Sequence, residues 1–169
     1  MKILNLHGYN GSSHNAAYAA LTEKGCEVIS PQTDYDSINA HDFISEMKTI
    51  ISEQNIDMLA GTSFGGFFAA VLSTELDMPV LLVNPCLMPF LHLPRLGYRG
   101  DIKPFIELFG KLSGINTDNV SCIIGGADEI IDTHDFTKKL MYNERFRIIP
   151  DGKHSGATLP LKEYFGEII

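Results

Sequence analysis

The chain alternates short apolar runs with longer stretches whose apolar residues recur at helical spacing. Short continuous apolar runs between turn residues are typical of strands that are covered on both faces. Because parallel strands need a crossover between them, the alternation predicts an α/β fold with a mostly parallel sheet and helices on both faces. The predicted strands are residues 2–6, 27–30, 56–60, 80–83, 120–124 and 146–149.

The stretches between these strands have the spacing of helices. In residues 40–54, for example, Phe43, Met47 and Ile51 recur on one face. The predicted helices are residues 15–24, 40–54, 64–76, 133–142 and 161–169. A chain of 169 residues without an internal repeat or a linker suits one domain, so we expect a single α/β domain over residues 1–169.

Residues 85–116 break this alternation. The segment is rich in proline and glycine, and it contains apolar side chains that look exposed, among them Phe90, Leu91 and Leu93. A segment of this length in a small domain is usually functional or partly helical. We expect an insertion over the carboxyl ends of the strands that acts as a lid. A connecting helix packed at the edge of the sheet is the alternative.

The pentapeptide G-T-S-F-G at residues 61–65 has the pattern G-x-S-x-G and lies between a predicted strand and a predicted helix. This pattern is typical of a nucleophile elbow, a sharp strand-to-helix turn that exposes a serine oxygen. The backbone comes so close at the two outer positions that only very small residues fit there. Ser63 is therefore the candidate nucleophile.

A serine hydroxyl needs a base, and in folds with this elbow the acid and then the histidine follow the serine along the chain. Three histidines follow Ser63, namely His92, His134 and His154. His92 lies in the expected lid, and His134 precedes the last predicted strand. His154 comes directly after that strand, so it is the candidate base.

Asp128 is the candidate acid of the same triad. It follows the strand that ends at residue 124, after a short glycine-rich turn. A carboxylate there would accept a hydrogen bond from the histidine ring and fix its tautomer. Three neighbouring acids, Glu129, Asp132 and Asp135, leave this assignment open.

Two backbone N–H groups are candidates for an oxyanion hole. Phe64 begins the helix after the elbow, where N–H groups and the helix dipole favour a developing negative charge. The second donor should come from the loop after the first strand. There Gly8 allows the backbone to approach the serine, so we expect the N–H of Tyr9 to face the site.

The charge balance limits the choice of partners. The formal net charge is −8, which disfavours nucleic acid and anionic membranes as main partners because both require a basic surface. No apolar run has the length of a membrane span. The three cysteines, Cys26, Cys86 and Cys122, have no metal-site spacing, so we expect reduced thiols in a cytoplasmic protein.

Several motifs together resemble those of small bacterial esterases of the YqiA type. The opening H-G-Y-N-G-S-S (residues 7–13), the elbow with the following G-F-F-A, and V-N-P (83–85) resemble that family in order. So do D-E-I-I-D (128–132) and G-K-H (152–154), although Ala127 departs from the family pattern and leaves the position of the acid slightly open. The resemblance implies an α/β-hydrolase fold and carboxylesterase activity on short acyl esters, with no cofactor.

These observations predict a serine hydrolase that cleaves short-chain esters of small molecules. We expect the Phe67 and Phe68 side chains after the elbow to pack in the core, with at least one of them available to wall an acyl pocket. A thioesterase or peptidase would use the same residues. A protein of another class, an interaction protein with a hydrolase fold and an inert Ser63, is the remaining alternative.

Overall fold

The sheet has six strands, and all neighbouring strands are parallel. The computed structural model describes residues 1–169. The strand order is β2-β1-β3-β4-β5-β6. This confirms the predicted fold class. The strands are β1 (Lys2–Leu6), β2 (Glu27–Ile29), β3 (Met58–Thr62), β4 (Val80–Val83), β5 (Val120–Gly125) and β6 (Phe146–Ile149).

Helices cover both faces of this sheet. Apolar side chains of α1 and α7 pack on one face, and those of α2, α3 and α5 pack on the other with Met141 of α6. Phe67 and Phe68 are fully buried in the second of these cores, as predicted. The helices are α1 (Ala16–Glu23), α2 (Ala40–Gln54), α3 (Phe64–Leu76), α4 (Pro89–His92), α5 (Lys103–Phe109), α6 (Asp135–Met141) and α7 (Leu161–Ile168).

Two elements differ from the sequence prediction by two residues at an end, and the others by one residue at most. Strand β3 begins and ends two residues later than predicted, because Thr62 still pairs with Val83 of β4. The elbow serine therefore follows the strand without an intervening residue. Helix α6 begins at Asp135 rather than at residue 133, because His134 has a left-handed conformation (φ 54°) that a helix cannot continue through.

Residues 85–116 form two short helices, α4 and α5, joined and followed by turns of 3₁₀ helix. The second half packs on the core, where Phe105 and Leu108 are buried against the aromatic side chains of α3. Leu93 was expected to be exposed and is fully buried, whereas Leu91 is exposed. The segment therefore adds buried side chains to the core from both halves and leaves Leu91 of α4 exposed.

Because all strands run the same way, the loops after β1, β3, β4, β5 and β6 lie along one edge of the sheet. In open parallel sheets this carboxyl edge is where ligands bind. All five candidate site residues follow a strand at this edge: Tyr9, Ser63, Phe64, Asp128 and His154. None of the helices combines the length and apolar character needed to span a membrane.

Candidate active site

Ser63 lies on a strained turn between β3 and α3. Its backbone has φ 53° and ψ −119°, a conformation that side-chain-bearing residues rarely adopt and that costs on the order of 1–3 kcal/mol. A Cβ atom on Gly65 would lie 2.2 Å from the carbonyl oxygen of Leu6, and one on Gly61 would lie 2.6 Å from that of Gly65. The predicted need for glycine on both sides of the serine is therefore met in the structure.

A continuous set of hydrogen bonds joins Ser63, His154 and Asp128. The Nε2 atom of His154 lies 2.9 Å from Oγ of Ser63. Its Nδ1 atom lies 2.9 Å from Oδ2 and 3.1 Å from Oδ1 of Asp128. The carboxylate is fully buried, and the imidazole remains 19% exposed. The hydroxyl, the ring and the carboxylate thus have the order and spacing of a nucleophile, its base and the group that orients the base.

The Asp128 carboxylate is kept ionised by its surroundings. Burial alone would raise its pKa, but hydrogen bonds from His134, His154 and the N–H of Ile131 outweigh burial and hold the pKa well below its usual range. The N–H groups of Ile130 and Ile131 both donate to Oδ1 at 2.8 Å. An ionised carboxylate only accepts hydrogen bonds, so the His154 nitrogen that faces it carries the proton. The other ring nitrogen is then free to accept from Ser63.

The loop that carries His154 is fastened to the sheet by Asn84, which directly follows β4. The buried side-chain amide of Asn84 donates to the carbonyls of Lys153 and His154, at 2.8 and 2.9 Å. Its side-chain oxygen accepts from the N–H of Gly125 at 2.7 Å. Glu129 accepts from the N–H of His154 at 3.0 Å. These four bonds hold the backbone of the His154 loop, and with it the imidazole ring, at the carboxyl edge of the sheet.

The loop after β1 lies directly against the serine. A Cβ atom on Gly8 would lie 3.1 Å from Cβ and 3.6 Å from Oγ of Ser63. The carbonyl of Gly8 accepts from Nδ1 of His7 at 2.7 Å and from the N–H of Gly11 at 2.9 Å. Because the peptide is planar and trans, the N–H of Tyr9 points away from these partners, and it has no acceptor within the protein.

His7 is held in one tautomer. Its Nε2 atom accepts from the N–H of Thr33 at 2.9 Å, so Nδ1 carries the proton that Gly8 accepts. The hydroxyl of Tyr35 donates to the His7 carbonyl at 2.7 Å. The Phe64 N–H belongs to the first turn of α3, where backbone N–H groups have no partner within the helix. Both candidate oxyanion donors are therefore available to a ligand.

None of the three other candidate acids bonds the His154 ring. Glu129 accepts only from the backbone N–H of His154, and Asp132 and Asp135 are exposed and make no hydrogen bond to His154. Cys86 is the other nucleophilic side chain nearby, since its N–H donates to the carbonyl of Ser63 at 2.9 Å. Burial, together with the Asp128 charge, raises the pKa of the Cys86 thiol to about 12, so it stays protonated and unreactive at neutral pH.

A cavity of about 300 Å³ lies between α4 and the loop after Asp128. Its apolar lining comes from both sides, with Leu87, Met88 and Leu91 opposite Ile130 and Phe136. Ser63 is not among the lining residues. The cavity adjoins the three hydrogen-bonded side chains through His134, which lines it and contacts Asp128.

Sequence reasoning missed three residues of this site. His134 donates to Asp128, Asn84 holds the His154 loop, and His7 orients the Gly8 peptide. The V-N-P and H-G motifs drew attention to the segments that contain Asn84 and His7, but not to these contacts. No sequence pattern indicated the contact of His134.

Comparisons with known proteins agree with this architecture. Residues 2–102 match the model of the Uncharacterised protein family (UPF0227). Among solved structures, a protein of Xanthomonas campestris pv. campestris assigned to the α/β-hydrolase superfamily is 18% identical, with a TM-score of 0.69 over 99% of this chain and 96% of that one.

Two further structures have the same fold. One comes from the study of the metagenome-derived lipolytic enzymes LipS and LipT, at 16% identity and a TM-score of 0.73 over 99% of this chain and 92% of that one. The other is the monoacylglycerol lipase of Paleococcus ferrophilus, at 15% identity and a TM-score of 0.67 over 99% and 91%. The chain has the α/β-hydrolase fold, and the family model matches more than half of its length. It therefore belongs to the UPF0227 family, which is the family of the YqiA-type proteins that it resembles in sequence.

Proposed function

We propose that this protein is a serine hydrolase that cleaves short-chain carboxylic esters through an acyl-enzyme on Ser63. The observation that carries the proposal is the hydrogen-bonded set Ser63–His154–Asp128 at a strained elbow with two free N–H groups beside it. The lipolytic enzyme and the lipase among the structural neighbours favour an ester over an amide as the bond that is cleaved.

In the first half of the reaction, Nε2 of His154 takes the hydroxyl proton while Oγ of Ser63 attacks the ester carbonyl carbon. The N–H groups of Phe64 and Tyr9 donate to the oxyanion of the tetrahedral intermediate. The Asp128 carboxylate stabilises the imidazolium without taking its proton. As the tetrahedral intermediate collapses, its bond to the alcohol oxygen breaks and the imidazolium protonates that oxygen. The alcohol leaves, and the acyl group stays on Ser63.

In the second half, His154 takes a proton from water, and the resulting hydroxide attacks the acyl carbon. The proton returns to Oγ of Ser63 as the carboxylic acid leaves. Every step of the proposed reaction uses only these side chains, the two backbone N–H groups and water, without a cofactor. A cytoplasmic location is part of the proposal, since the three cysteines are free and buried, as is usual for a reducing compartment.

The test is hydrolysis of p-nitrophenyl esters of graded acyl length by the wild type and by Ser63→Ala. We expect the wild type to prefer short chains and Ser63→Ala to retain less than about 1% of the rate, since nucleophile and base act as one unit. A fluorophosphonate probe should label Ser63 and no other residue, as located by mass spectrometry.

Retention of a substantial rate in Ser63→Ala would overturn the assignment. If the probe labels Ser63 but the protein hydrolyses only thioesters or peptides, the triad assignment stands and the proposed substrate class is wrong. If a folded wild-type protein neither hydrolyses these substrates nor reacts with the probe, the result favours the alternative, an interaction protein with the hydrolase fold.

A further inference from the structure

A second imidazole contacts the candidate acid on the side away from His154. The Nε2 atom of His134 lies 2.8 Å from Oδ2 of Asp128, and both side chains are fully buried. The same oxygen accepts from Nδ1 of His154 at 2.9 Å. The two rings therefore share Oδ2. Oδ1 accepts the two backbone N–H groups of Ile130 and Ile131 and lies 3.1 Å from Nδ1 of His154.

The ionised carboxylate fixes the proton on His134. Its Nε2 atom faces an acceptor and must donate, and its Nδ1 atom is buried with no partner. His134 makes no contact with Ser63, so it acts only through Asp128. Six other titratable or charged side chains surround this group, three in residues 85–116 and three in the loop after β5 and the start of α6: Cys86, His92, Arg95, Glu129, Asp132 and Asp135.

We propose that His134 is a positioning residue of this site. Its hydrogen bond orients Oδ2 of Asp128 toward His154 and partly neutralises the negative charge on that oxygen. This inference rests on the proposed function. The aiming follows from geometry, because His134 is the only group besides the His154 ring that donates to Oδ2, whereas the two N–H groups donate to Oδ1. The charge effect follows from hydrogen bonding, because a carboxylate oxygen that already accepts one strong bond stabilises a second cationic partner less.

The charge effect predicts the direction in which the pH dependence of kcat/KM changes when His134 is replaced. With His134 present, the protonated form of His154 receives less stabilisation from Asp128, so His154 becomes a working base at lower pH. Removing the donor should move the acidic limb of the kcat/KM profile to higher pH. It should also lower kcat, because Oδ2 is no longer held in place.

The experiment compares His134→Leu, which has similar bulk and no donor, with His134→Gln, whose amide N–H can reach the place of Nε2. His92→Leu is the matched control, since it lines the same cavity and makes no hydrogen bond to Asp128. For His134→Leu we expect the limb to move up by about half a pH unit or more and kcat to fall roughly tenfold, with KM little changed. His134→Gln should recover most of both effects, and His92→Leu should leave the limb in place.

NMR titration of the His154 ring in the same proteins separates this inference from the proposed function. If the wild type hydrolyses no ester, the proposed function fails, and the ring titration still decides the role of His134. An upward shift of the His154 midpoint in His134→Leu, reversed in His134→Gln, supports the inference. An unchanged midpoint in a folded His134→Leu protein overturns it, even if thermal stability or the active fraction falls, because packing alone would produce those losses.

Discussion

The side-chain amide of Asn84 donates to the carbonyl oxygen of His154 at 2.9 Å, across 70 residues of sequence. Asn84 itself has a left-handed conformation (φ 43°) and is fully buried. One side chain at the end of β4 thus sets the position of the candidate base, which follows β6. The hydrogen bond therefore connects the His154 loop to β4, an inner strand, and not only to β6, the outer strand that precedes the loop.

Asn84→Asp should lower kcat by about tenfold or more with a smaller change in KM, because the lost donors face two carbonyl oxygens that would repel the new carboxylate. Asn55→Asp is the matched control and should have little effect, because Asn55 also has a left-handed backbone but is exposed. Steady-state kinetics with a p-nitrophenyl ester, with the thermal midpoint measured alongside, checks this. Wild-type kcat in Asn84→Asp would mean that the loop keeps its place without the amide.

The rate should depend on pH through one ionisation on the acid side. Asp128 has a pKa well below its usual range, so it stays ionised throughout the assay range and should add no second ionisation to the pH–rate profile. The base must be neutral to accept the Ser63 proton, so kcat/KM should rise with pH between about 5 and 8, where histidine titrates. A profile that is flat over this range contradicts a histidine base.

Asp128→Asn should be far more damaging than Asp132→Asn or Asp135→Asn. The amide would offer N–H groups to two imidazoles that are themselves donors, and it would favour the wrong tautomer of His154, so we expect at least about a tenfold loss of kcat. The other two carboxylates are exposed, and their variants should stay within about threefold of the wild type, as surface changes usually do. The three variants are compared on one ester at one pH. Should Asp132→Asn prove the impaired one, the acid is misassigned.

The cavity between α4 and the loop after Asp128 should affect acyl selectivity. Leu91 is 49% exposed and lines it, so Leu91→Trp should narrow it and shift the preference toward shorter acyl chains. Ile106→Trp is the matched control, since Ile106 is 47% exposed on α5 and lies outside the cavity. The measurement is kcat/KM over a series of acyl lengths. Equal selectivity in both variants would remove the cavity from the substrate path.

Much of the fold could be predicted because it depends on local signals. Apolar runs and helical spacing located all six strands and five of the seven α-helices, and the glycines at 61 and 65 indicated a turn that no larger residue permits. The end of β3 was misplaced because pairing with β4 extends the strand through Gly61, a residue that strands disfavour, to Thr62. Leu93 was misjudged because its burial depends on the fold of the whole 85–116 segment.

The contacts of the site were harder to foresee than its residues. His134 reaches Asp128 because Asp132 and His134 both adopt left-handed conformations, with φ 68° and 54°, and turn the loop back on itself. Neither residue is a glycine, so the turn has no marker in the sequence. The Asn84 amide reaches the His154 loop only once β4, β5 and β6 are paired in register, which is a property of the sheet.

The position of β6 at the edge of the sheet has a consequence for the order of assembly. During synthesis, the residues up to β5 and its loop can already supply Ser63, Asp128, His134 and the two backbone donors, and four of the five strand pairings are then possible. The candidate base arrives only with the next strand. A nascent chain at that stage would hold a formed elbow with an unactivated hydroxyl, so its chemistry would begin only when the last strand docks.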